Sequence, residues 1–536
     1  MMRRAAPFAH GLCRLGLFAL ALIPLVPGAA RAQTTPDGAK ALEQQIHDWI
    51  TGTLGPNVKI AQRPIQVTAN GDHYDLSIPV GDTPTSPRWT ATARERSGGR
   101  YAIDDIHFPS PAEFHIKLPD TVTQGGPPGM SGDITYKVTV GSQAAQMLVD
   151  PSFATTTTAT SSAKNVDVQS SGGMAPTASH IDSGTSSFII QPASANGRLD
   201  VAIESNLDGY TINSEMPNAA GALKLGFGKT HLAANATSIS RERAVQVLQT
   251  AIQFGKAMAP NQGTDPKPDA PDPAQMAATM LEAVAHLASG ASFDETVQDM
   301  SVDMGGMAGT LHALQIGFGV KGVGGLLQAR LDLGAERLTL PELGLGSMVQ
   351  LIPSKISLRP TLSGVPADAL MALAKNSSEG DEPTPDLIMA LFAKGPIIAG
   401  LESMSVAVGG AEFSGLGKLS IASPQDISGT AQVTATNLDL LQQRIAAEPS
   451  LAQAGPVIIF LKGIGRSVGS QMVWDISYKG GKVLVNNQDL SALAGGPPPA
   501  PAQRTPQQAT PQPWPPQPGP QGGPAPNGQP QLRRRQ

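Results

Sequence analysis

The sequence predicts an α+β fold: a long, curved, hairpin-rich antiparallel sheet with amphipathic helices packed on one side. Three stretches carry this expectation, each a strand that runs straight into a helix. In residues 427–447, ISGTAQVTATNLDLLQQRIAA, small or apolar residues alternate with polar ones, as on a half-buried strand; Asn437 then opens a helix bearing Leu438, Leu441 and Ile445. In residues 355–375 the run ISLRPTLSG leads to Pro366 at the first turn of a helix that carries Leu370 and Leu373. In residues 223–255, LKLGFGKTHLAANATSI leads through Ser240 into RERAVQVLQTAIQF, with Val245, Leu248 and Ile252. These apolar helix residues are the candidate lining of an open groove, and a closed core is the alternative for each helix.

Taken in order, residues 1–32 read as a secretory signal peptide. Arg3, Arg4 and Arg14 precede the apolar LGLFALALIPLV, and Ala30-Arg31-Ala32 supplies a small-x-small cleavage pattern, so the mature chain is expected to begin at Gln33 in the periplasm. Cys13 is the only cysteine and lies before the cleavage point, which leaves the mature protein without a disulfide. No other stretch is long and apolar enough to span a bilayer, so at most peripheral membrane contact is expected. A net charge of -5 argues against nucleic-acid binding, which needs clustered basic surface; only Arg533 to Arg535 form a basic run.

Residues 33–205 form the first expected region, a helix followed by an antiparallel meander. Leu42, Ile46, Trp49, Ile50 and Thr53 share one helical face. Hairpins are then marked by Asn70-Gly71, Gly98-Gly99 and Asn196-Gly197 between alternating runs. The Thr- and Ser-rich residues 152–173 are assigned to the sheet, because Thr favours strands. Residues 206–494 form the strand-to-helix region, with a Pro-rich linker over 259–271, a helix opening at Asp272-Pro273 and a short helix opening at Thr384-Pro385. Gly480-Gly481 turns the last hairpin. Residues 495–536 are rich in Pro, Gln, Gly and Ala, cannot build a core, and are expected to be a disordered tail that could engage an envelope protein.

Motifs with chemical precedent fall short of their requirements. Gly465-Arg466-Ser467-Val468-Gly469 matches the serine-hydrolase elbow and follows the apolar VIIFLKGI, but that fold needs a histidine downstream of Ser467, and none occurs after His312. Gly317 to Gly322 matches G-x-G-x-x-G, and Gly228-Lys229-Thr230 has the end of a phosphate loop, although Leu223 stands where its first glycine belongs. Both are read as sheet glycines. The histidines are scattered without metal-ligand spacing. Met300, Met304 and Met307 have soft-metal ligand chemistry, but the alternation of Met300, Val302 and Met304 with Asp299, Ser301 and Asp303 favours a strand face. The carboxylates Asp104-Asp105 and Asp294-Glu295 lie in or beside hairpins. No cofactor or metal is expected.

Pro353-Ser354-Lys355 with SLRPTLSGVPADAL, the strand-helix TATNLDLL and the closing GGKVLVNNQDLSAL resemble an alphaproteobacterial envelope family catalogued as a domain of unknown function and grouped with AsmA-like proteins. The resemblance covers mainly residues 334–493. It implies a long antiparallel sheet with helices on one side and a role in envelope lipid homeostasis; it supplies no functional residues. The expected function is that of a non-enzymatic envelope protein that binds a lipid or other amphiphile in a sheet-lined groove. The alternatives are a structural or assembly scaffold and a hydrolase using Ser467.

Overall fold

The computed structural model describes residues 34–54, 64–79, 87–97, 99–117, 133–150, 155–172, 176–193, 197–215, 222–240, 242–244, 287–305, 307–322, 325–339, 346–378, 382–448, 451 and 454–490. The expected signal peptide, Val245, Leu248, Ile252, the linker, most of the helix expected from Asp272-Pro273 and the Pro-rich tail lie outside them. Helix α1 (Pro36–Leu54) precedes strands β1 (Gln66–Asn70), β2 (His73–Pro79), β3 (Arg88–Arg96), β4 (Arg100–His107) and β5 (Ala112–Lys117). Eight longer strands follow: β6 (Asp133–Asp150), β7 (Thr155–Gly172), β8 (Thr177–Pro192), β9 (Arg198–Glu215), β10 (Ala222–Ser240), β11 (Gly290–Met304), β12 (Met307–Lys321) and β13 (Leu326–Thr339). Next come β14 (Lys355–Pro366), the helices α2 (Ala367–Ser378) and α3 (Pro385–Ala390), and strands β15 (Ile397–Val408), β16 (Ala411–Ile421) and β17 (Ile427–Thr436). Helices α4 (Leu438–Ala446) and α5 (Gly455–Ile464) lead to β18 (Arg466–Val468), β19 (Gln471–Lys479), β20 (Lys482–Val485) and β21 (Gln488–Asp489).

All twenty-one described strands form one open, curved, antiparallel sheet. Successive strands are neighbours, with two local departures. β4 and β5 share one edge of β6, and β17 pairs with β19, whose other edge takes β18 and β20. The helices between β14 and β15 therefore connect direct antiparallel neighbours, as do those between β17 and β19. The strand-to-helix pattern of the sequence marks excursions from a meander, not crossovers. Among the described residues no helix is long and apolar enough to cross a membrane.

Local chemistry explains the turns. Gly71 at φ +60 closes the β1–β2 hairpin between Asn70 and His73, and Gly480 and Gly481, at φ +57 and +78, give β19–β20 the mirror-image turn that matches strand twist. Asn437 differs from expectation. It stands at the helix start with a left-handed backbone, φ +56, and its side chain makes no capping bond; it serves as a corner between β17 and α4. Thr384 does cap α3, its hydroxyl accepting from the Leu387 amide at 3.4 Å. Pro366 ends β14 one residue ahead of α2. The Thr/Ser-rich run is strand β7, paired on both sides, with Ser161 and Ser186 hydroxyls 2.8 Å apart across the β7–β8 pair.

A transverse seam crosses the eight long strands. The register of the flanking pairs aligns Gly141, Asn165, Asp182, Gly209, Gly228, Asp299, His312 and Arg337, one per strand from β6 to β13. On alternate strands the seam residue has a left-handed backbone: Asn165 at φ +51, Gly209 at +62, Asp299 at +52 and Arg337 at +53. Such a residue carries its side chain toward the next strand, and glycine makes room for it. A Cβ added to Gly141 would lie 3.0 Å from the Asn165 Cβ, and one added to Gly228 would lie 3.0 Å from the Asp299 Cβ. The period-two alternation slips at the seam. On β8 Ile181 is buried before it and Phe188 and Ile190 after it, a change from odd to even positions; on β9 Leu207 packs before it and Tyr210 and Ile212 after it. Leu207 joins Tyr210, Ile212, Ile181 and Val166 in one apolar cluster, so the slip keeps a single apolar face on both sides of the bend.

Two larger clusters close the ends. Ala39, Leu42 and Ile46 of α1 pack on Tyr74, Leu76, Tyr101, Met147 and Val149. Leu438, Leu441 and Ile445 of α4 and Ile458 of α5 pack on Ala411, Ala435, Trp474 and Val485. The second cluster is stitched by polar bonds. Trp474 Nε1 donates to Leu461 O at 2.9 Å, and Asn486 Nδ2 donates to Ile464 O at 2.8 Å and Val473 O at 3.1 Å.

Candidate functional site: an open apolar sheet face

Between these clusters, over β11 to β15, the register brings large apolar side chains together. Ile316 and Phe318 lie two apart on β12 and so share a face. Ile316 opposes Leu333, which opposes Leu358; Phe318 is flanked by Phe293 and Leu331; Val320, Ala329, Leu362 and Ala399 form the next row. Ile316, Phe318, Leu333 and Leu362 are 40, 46, 37 and 37% exposed, whereas Phe188 and Ile190 further along the sheet are buried. Contiguous exposure of this kind on a sheet interior is the informative departure, because isolated exposed apolar residues are ordinary. Half-buried Glu295 interrupts the surface opposite Ile316.

The predicted groove residues divide. Leu438, Leu441 and Ile445 are 6, 6 and 8% exposed inside the closed C-terminal cluster, so they line a core and not a groove. Leu370 on α2 is 39% exposed and Leu373 half-buried, and these two are not brought together with the α4 residues. Sequence reasoning sought the surface on helices and missed Ile316, Phe318, Leu333 and Leu362. Their signal was present in the alternation of LHALQIGFGVKG and LLQARLDLG, whose apolar members fall on one side.

The motif residues have structural positions. Ser467 sits in the exposed three-residue β18, after helix α5 and before a strand, the reverse of the strand-to-helix order an elbow requires. Gly317 lies within β12 beneath Asp294 and Asp332, and a Cβ there would meet the Asp294 carboxylate at 2.6 Å. Gly228 is a seam residue and Lys229 and Thr230 continue β10. Met300 lies in register with Phe227 and Leu311, and Met304 opposes Met307 at the β11–β12 turn.

The opposite face pairs histidines with carboxylates, across strands at His180–Asp167 and His312–Asp299 and along β8 at His180–Asp182. His180 Nδ1 is 2.8 Å from Asp167 and Nε2 is 3.0 Å from Asp182, while His312 Nδ1 is 2.7 Å from Asp299. The hydrogen bond to Asp167 raises the His180 pKa; burial opposes it and Asp182 adds to it. Under α1, burial pushes the Tyr101 phenol up to about 12. The cavity beside it, about 40 Å³ and walled by Leu42, Ile46, Leu76, Tyr101 and Met147, is an apolar packing gap of about the volume of one or two waters. Among the described residues no group of three His, Cys, Asp or Glu side chains is placed to hold a metal ion. No family model, no curated protein and no solved structure matches the chain.

Proposed function

We propose that this chain is an exported, non-enzymatic envelope protein that binds a lipid or other amphiphile along the apolar face of its sheet, with its helices packed on that same side. The observation that carries the reading is the exposed patch of Ile316, Phe318, Leu333 and Leu362 on adjoining strands. The register supports the helix placement. The Phe318 row runs back through Phe293, Ala234, Ile203, Phe188 and Ala159 to Met147, which packs against α1, and the Ile316 row runs forward to Trp474, which packs against α4.

The energetics set the affinity class. A fully buried methylene contributes about 0.8 kcal/mol, so an acyl chain resting one side on an open face gains of order 0.4 kcal/mol per methylene. About a dozen methylenes then supply roughly 5 kcal/mol before the cost of association, so the interaction is at best submillimolar and favours exchange over permanent retention. The test is native mass spectrometry of the purified protein after incubation with a defined phospholipid, alongside Ile316→Ser/Phe318→Ser. Lipid adducts in the parent protein that fall in the double variant are expected; a parent protein that stays lipid-free rejects the reading.

A further inference from the structure

On the opposite face of the same strands, Asp332 is 5% exposed and is ion-paired with two arginines at once. Its Oδ2 is 2.8 Å from Arg330 Nε, and its Oδ1 accepts from Arg359 Nε. Arg330 lies two residues before Asp332 on β13, and Arg359 stands across from Asp332 on β14, between the pairs Arg330–Thr361 and Leu333–Leu358. A guanidinium that binds through Nε keeps its Nη groups for another acceptor. Both arginine side chains remain about half exposed, at 49 and 45%. The surrounding surface is low: Gly317 opposes Asp332, Gly319 opposes Arg330, and Gly400 opposes Thr361. A Cβ added to Gly319 would meet nothing within 4 Å, so the space beside Arg330 is open. Lys321 on β12 and Lys418 opposite Gly400 add positive charge, against Asp294 over Gly317 and Glu402 near Arg359.

We propose that Arg330 and Arg359, held by Asp332, form a binding site for a phosphate-type oxyanion, either free phosphate or a phospholipid headgroup. A buried carboxylate that accepts from Arg359 Nε and sits 2.8 Å from Arg330 Nε orients two planar forks before the ligand arrives, which is the geometry that suits bidentate oxyanion binding. The site is separate from the apolar face and stands or falls independently of it.

Phenylglyoxal labelling of the full chain, read by peptide mapping at Arg330 and Arg359, tests this. Inorganic phosphate is expected to slow labelling of both residues relative to chloride at equal ionic strength, with Arg88 unaffected. Phosphatidylglycerol vesicles that protect more than the same concentration of phosphate assign a headgroup, and equal or weaker protection assigns the free ion; vesicles of a neutral galactolipid, which lacks phosphate, control for simple occlusion. Arg359→Gln should lower phosphate affinity about tenfold, the factor that one lost charge-assisted contact corresponds to, while Lys355→Gln, which breaks the neighbouring pair with Glu336, leaves it unchanged. Labelling of the parent protein that ignores phosphate overturns the proposal, and that arm decides even where Arg359→Gln fails to fold.

Discussion

Gly209→Ala puts the seam to a quantitative test. Gly209 has φ +62, and a Cβ built on it lies 1.8 Å from Asp182 Oδ2, 2.3 Å from Cγ and 2.9 Å from Cβ. The substitution therefore carries two costs. A left-handed backbone costs an L-residue about 1–2 kcal/mol. Asp182 must also swing away from the strand, which breaks its 3.0 Å contact with His180, an exposed pair worth up to about 1 kcal/mol. The sum is about 1–3 kcal/mol. Gly71 supplies the comparison, since its φ is +60 and nothing lies within 4 Å of its added Cβ, so Gly71→Ala carries the backbone cost alone. Urea midpoints at a common slope measure both. In an Asp182→Gly background all three clashing atoms are gone, and the increment from Gly209→Ala should fall to the Gly71 level. If Gly209→Ala costs no more than Gly71→Ala, the close packing of Asp182 over Gly209 is not what holds the seam.

Two further outcomes are expected. The His180 pKa is raised in the folded state, so its ion pairs with Asp167 and Asp182 stabilise fully below the unfolded value of about 6.5 and lose that contribution as pH rises through the higher folded value; the urea-midpoint difference between the parent protein and His180→Gln should shrink on going from acid to mildly alkaline pH, and a pH-independent difference refutes it. Leu441→Ala, at a 6% exposed site against Gly409, should cost about 2–5 kcal/mol, whereas Leu440→Ala, at 38% exposure, should stay within about 1 kcal/mol; comparable losses in thermal unfolding would contradict the closed C-terminal core.

Much of the sheet was legible locally because strand alternation and hairpin turns are local properties. The glycine-bearing turns at residues 71, 99, 197 and 480–481 stand where the sequence places them, and even the small-residue run of β7 is identified by its threonines. The helices of residues 355–375 and 427–447 exist, and α1 buries the expected Leu42 and Ile46. The slip at the seam left a trace as well. In LKLGFGKTHLAAN the apolar parity changes around Gly228-Lys229, a pair whose likeness to a phosphate loop drew attention from its backbone role.

The sequence by itself determined the strand-rich, antiparallel character of the sheet and the hairpin turns at residues 71, 99, 197 and 480–481, since these depend on neighbours within a few residues. Which apolar residues stay open to solvent was decided by tertiary structure. Leu438 and Phe318 are equally apolar to a periodicity argument, yet one is enclosed by Ala435, Trp474 and Ile458 while the other stands 46% exposed, because exposure is set by what distant strands and helices bring over a residue. The pairing of Arg330 and Arg359 on Asp332 is of the same kind. Twenty-seven residues of chain separate Asp332 from Arg359, and only the β13–β14 register places them side by side.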